Sequence, residues 1–97
     1  MGNPRPKPER LAEKLRQIRV ALGLSQPQMI RQLGLEESMH YSRISEYETG
    51  FREPSLPTLL QYARAANVFI DALADDELDL PAKLPSAKKS EGVRRSR

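Results

Sequence analysis

The stretch Leu24-Ser25-Gln26-Pro27-Gln28-Met29-Ile30-Arg31-Gln32-Leu33-Gly34-Leu35 decides how this chain is read. Ser25 carries the hydroxyl of a helix N-cap. Gln28, three positions on, completes a capping box in which each side chain meets the other residue's backbone amide. Pro27 is tolerated because the amides of a first turn have no partner within the helix. Met29, Ile30 and Leu33 then face inward, and Gly34 stops the helix after about two turns. So short a helix does not persist alone and must be held between neighbours.

Upstream, Leu11, Leu15, Ile18 and Leu22 recur at helical spacing, a stripe ended by Gly23. Downstream, the polar stretch Glu36 to His40 leads to a third short helix over Tyr41 to Glu48, with Ile44 and Tyr47 inward and Gly50 as its exit. Pro54-Ser55 supplies a turn and the next N-cap. Leu56, Leu59, Leu60, Ala63 and Ala66 form the stripe of a fourth helix that ends at Asn67. Val68 to Ala74 adds one or two helical turns with Ile70 and Leu73 inward. No segment alternates with the β period. The expected fold is all-α, a compact bundle of five short helices.

Residues 1–8 alternate proline with basic or small side chains, which prevents helix and gives a flexible basic arm. Residues 9–75 are the expected folded domain, and 76–97, acidic and then basic, a largely disordered tail. A chain of 97 residues has room for one domain. It has no cysteine, which excludes disulfides and thiolate chemistry, and one histidine, His40, which makes a histidine metal site implausible. The run Asp71, Asp75, Asp76, Glu77 and Asp79 has no metal-loop spacing and reads as a solvated face, so neither metal nor cofactor is expected. No apolar run reaches the roughly 18 residues of a membrane span, and residues 1–8 hold no signal-peptide core. A soluble, cytoplasmic protein is the expectation.

The net charge of +3 conceals its distribution. Glu9 to Leu80 holds eight bases against twelve acids, a net of −4, while the first eight residues carry +2 and those after Leu80 carry +5. Nucleic-acid binding must therefore come from local arrangement, not bulk charge. Nor is there a nucleophile or acid–base pair that such a small bundle could enclose, so an enzyme is not expected.

Taken together, Leu24-Ser25-Gln26, Leu33-Gly34-Leu35, Ile44-Ser45-Glu46-Tyr47-Glu48-Thr49-Gly50 and Arg52-Glu53-Pro54-Ser55 resemble the phage repressor/Cro-type (xenobiotic-response-element) helix-turn-helix family. The resemblance spans about residues 9–75 and implies a lambda-repressor-like bundle that regulates transcription, expected to be a repressor binding a two-fold operator through the major groove. Gln26 matches the family's phosphate-contacting glutamine. His40, Tyr41, Ser42, Ser45 and Glu46 fall where the family reads base edges, and Arg43 and Arg52 flank them as phosphate contacts. Arg19 and Glu48 match a structural pair between the first helix and the end of the third.

The residues leave some alternatives open. Tyr41 suits core packing or base contact, His40 a helix-entry turn or phosphate contact, and Glu46 a cytosine amino group or a surface pair with Arg43. The linker after Leu35 is about four residues longer than the family's usual turn. Phe69 replaces a small polar cap and, with Leu78, Leu80 and Leu84, suggests a homodimer seam. The rival reading is an antitoxin or other protein-partner module of the same fold. Double-stranded DNA and a second copy are thus the expected partners, a toxin is the partner only under the rival reading, and a membrane is not expected.

Overall fold

The computed structural model describes residues 8–85. Five helices follow in order: α1 (Leu11–Leu22), α2 (Gln26–Gln32), α3 (Ser42–Thr49), α4 (Leu56–Ala66) and α5 (Asp71–Ala74). There is no strand among the described residues.

Local chemistry sets the boundaries. α1 ends at Gly23, whose φ of 73° a side chain would strain, and the Gly23 and Leu24 amides return to the carbonyls of Val20 and Arg19. At α2 the capping box is complete: Ser25 Oγ accepts from the Gln28 amide at 3.2 Å, and Gln28 Oε1 accepts from the Ser25 amide at 2.8 Å. Ser55 Oγ accepts from the Thr58 amide at the start of α4, and Asn67 closes that helix in the left-handed region.

α1 is the hub, packing against α3, α4 and α5, while α2 packs against α3. Leu15 and Ile18 of α1, Met29 of α2, Ile44 of α3, Tyr62 of α4 and Leu73 after α5's start are fully enclosed. Each such aliphatic side chain contributes about 1.5–3 kcal/mol relative to exposure. This core fixes both short helices, as their length demands. The stripe read for α4 is narrower than expected. Leu59, Tyr62, Ala63 and Ala66 are buried, but Leu56 and Leu60 remain 69% and 38% exposed, because α4 rests on its neighbours along one side only.

The segment after α5 also departs from expectation. Residues 76–85, expected within a disordered tail, close against α1, while the acidic run is a solvated face as read, with Asp71, Asp75, Glu77 and Asp79 exposed and Asp76 half-buried. The Asp76 carboxylate accepts from the Glu9 amide at 2.9 Å and the Arg10 amide at 3.1 Å, satisfying two orphan donors at the start of α1. Arg10 in turn donates to the Asp76 carbonyl at 2.7 Å and pairs with the Asp79 carboxylate. These donors hold both carboxyls below the usual carboxylate range, the backbone amides acting on Asp76 and the Arg10 guanidinium on Asp79.

Beside them, Lys14 is wholly buried and donates to the carbonyls of Ala72 at 2.8 Å and Asp75 at 2.9 Å. Burial pushes its ammonium below the ordinary lysine value, and these carbonyls at the end of α5 compensate the charge. With the segment drawn back, Leu80 and Leu84 pack against the core. Of the residues expected at a dimer seam, Phe69 is half-buried, Leu80 is packed in this way, and Leu78 is exposed.

Candidate nucleic-acid interface

The longer linker between α2 and α3 is an ordered turn. The Leu35 carbonyl accepts from the amides of Ser38 at 2.9 Å and Met39 at 3.0 Å, and Met39 packs against the core. The chain thus arrives at α3 in a fixed direction. Tyr41, the residue before the helix, contributes no side-chain cap. His40 does that work: its Nδ1 accepts from the Ser42 amide at 3.1 Å and lies 3.0 Å from the Ser42 hydroxyl. Its ring stacks on Tyr41 with centroids 4.4 Å apart. Of its sequence alternatives, His40 takes the helix-entry turn. Tyr41 is exposed, outside the core.

α3 buries Ile44 and Tyr47 and turns its other sides outward. Ser42 and Thr49 are exposed, while Ser45 and Glu46 are half-buried. The charged centre of this surface is Glu46. Its Oε1 lies 2.9 Å from Arg52 Nε and 3.2 Å from Arg43 Nε, so one carboxylate faces two guanidiniums. Arg43 is one turn back on the same helix, and Arg52 comes round from the loop after Gly50, whose path is held by the Arg52 amide donating to the Glu46 carbonyl at 3.2 Å. The surface pair of Arg43 and Glu46 weighed from sequence is present, enlarged to a triad by Arg52.

Behind this surface, Arg19 and Glu48 make a two-pronged pair. Arg19 Nε donates to Glu48 Oε2 at 2.7 Å, Nη2 to Oε1 at 3.1 Å, and Nη1 to the Leu24 carbonyl at 3.0 Å. The Glu48 carboxylate holds the Arg19 guanidinium charged, above its ordinary value. One side chain therefore ties α1, the entry to α2 and the end of α3 together. Gln26 is the first residue of α2, half-buried, on the helix that packs against α3.

Three exposed apolar residues near these elements were not singled out as surface: Phe51 at 77%, Leu56 and Leu60. Phe51 lies outside every apolar stripe, directly after the exit glycine, and that isolation was the available signal. Among the described residues there is no group of three metal-ligating side chains, and no helix is long and apolar enough to cross a membrane.

A short exposed helix, set rigidly after another short helix and rimmed by arginines, defines the architecture of a nucleic-acid-binding regulator. Residues 10–76, well over half of the chain, match the family model described as a helix-turn-helix domain, and the chain belongs to that family. The match ends on Asp76, the residue that caps α1. No curated protein and no solved structure matches the chain.

Proposed function

We propose that this protein is a sequence-specific DNA-binding transcriptional regulator of the phage repressor/Cro type, acting as a cytoplasmic repressor on a two-fold operator. The observation that carries this reading is the exposed α3 with Arg43 and Arg52 at its rim, 37% and 47% exposed. Arginines so placed neutralise phosphates, while the helix between them meets base edges in the major groove. Tyr41, Ser42, Ser45 and Glu46 are the base-reading set, with His40 both capping the helix and lying at its leading end. Gln26, Arg43 and Arg52 take phosphates. No catalytic role is assigned to any residue.

Selection of bound sequences from a random duplex pool tests this directly and should return one site with two-fold symmetry. Arg52→Ala should then weaken binding to the selected site and reduce its salt slope by about one. A pool that enriches nothing, together with an unchanged slope, refutes the reading.

A helix this short reads few base pairs, so two copies are needed for useful specificity. Phe69, Leu78 and Leu80 were the expected seam, but Phe51, Leu56 and Leu60 offer more exposed apolar surface, and Phe51 directly precedes Arg52 in the chain. The same exposure supports the alternative of an antitoxin-like module with a protein partner. Mass measurement of the free protein and of its DNA complex, for wild type, Phe51→Ser and Phe69→Ser, separates the faces: the variant that loses the two-copy complex marks the seam.

A further inference from the structure

We infer that Glu46 is a specificity-determining residue that acts against non-specific DNA, holding Arg43 and Arg52 in an internal contact that a phosphate must replace. This deepens the DNA-binding reading and rests on it. Glu46 Oε1 receives the Nε groups of Arg52 at 2.9 Å and Arg43 at 3.2 Å. An anionic oxygen set between two guanidiniums has the geometry and charge of a bound phosphate oxygen. The triad presents a net charge of +1 where two free arginines would present +2.

The setting gives that single charge leverage. Residues 9–80 carry a net −4, so attraction to a phosphate backbone has little general support within the domain. On an arbitrary duplex, moving either arginine to a phosphate strips Glu46 of a partner and leaves its carboxylate facing the polyanion. On a site presenting a cytosine amino group, the carboxylate gains a donor as the arginines leave. The exchange is then balanced, and only there. Glu46 thus suppresses binding everywhere and releases it at the matching sequence.

The test compares wild type with Glu46→Gln, and with Glu46→Ala as a second variant, on a random-sequence duplex and on the selected site across a salt series. Circular dichroism checks that both variants keep their helices, which this half-exposed position favours. One additional phosphate contact steepens the slope of log affinity against log salt by about 0.9, equivalent to about eightfold tighter binding at 0.1 M relative to 1 M salt. Non-specific affinity should rise by about that factor and its slope steepen by about one, while discrimination between the two duplexes falls. Unchanged or weaker non-specific binding by both variants overturns the inference while the DNA reading stands. Absence of any salt-dependent binding by wild type overturns both.

Discussion

Replacing Arg19 with alanine leaves the Glu48 carboxylate, 4% exposed, with neither of its two guanidinium hydrogen bonds. Breaking a buried pair from one side costs about 3–5 kcal/mol, since the remaining charge has neither water nor a partner. Arg19 is itself 16% exposed, and water entering its vacated space holds the figure toward the lower end. Its third bond, to the Leu24 carbonyl, adds about 1 kcal/mol, because that group then needs another donor. About 4 kcal/mol is therefore expected, a large share of the roughly 5–15 kcal/mol that holds a domain folded. Urea unfolding followed by circular dichroism measures it. Glu48→Gln, which keeps the shape and removes the charge, should cost about 1–2 kcal/mol. Joint replacement by Arg19→Met and Glu48→Leu should recover most of the Arg19→Ala loss, since apolar packing can substitute for both charges. An Arg19→Ala cost below about 1 kcal/mol, or a double variant no better than the single one, refutes the reasoning.

Other perturbations test neighbouring contacts. Tyr62 is fully buried and its hydroxyl finds no hydrogen-bond partner among the described residues, with burial pushing its ionisation far up, so Tyr62→Phe should stabilise the fold by about 1 kcal/mol; a loss of stability in thermal melts would reveal a partner for the hydroxyl. Lys14→Met keeps the buried stem but strands the Ala72 and Asp75 carbonyls, and should cost about 2–4 kcal/mol in urea unfolding. Asp76 and Asp79 are held below the usual carboxylate range in the folded state, so their stabilisation is fully present above about pH 4 and disappears as pH falls through their lowered values. Melting temperature against pH should show that acidic limb in wild type, and Asp76→Asn should flatten it; an identical limb in the variant counts against the contact.

The sequence was most legible where a local rule decides the structure. The Ser25–Gln28 box and the four–three spacing of Leu11, Leu15 and Ile18 are each complete within one or two turns, and both appear as read. Leu56 and Leu60 failed because an apolar stripe says which faces can be buried, not which neighbour arrives to bury them. The contacts of Lys14, Asp76 and Asp79 were not legible for a related reason. Lysine and aspartate usually stay in water, and no periodicity links residues nearly seventy positions apart. At the interface, residue type gave the inventory, but the convergence of Arg43 and Arg52 on Glu46 depends on the loop after Gly50 curling back toward its own helix.

The cap on α1 has a consequence for the order in which the domain assembles. Asp76 reaches the Glu9 amide across 67 residues of sequence, so the two amides just ahead of the hub helix gain this partner only when nearly the whole domain is in place. Closing so long a loop is entropically late, and at the entry of α1 its reward is a few polar contacts. That entry to α1 is expected to lock late on folding and to open early in native-state fluctuations. In hydrogen exchange, the Glu9 and Arg10 amides should open well before those of Ile18 and Arg19, so that protection rises from the entry of α1 to its middle.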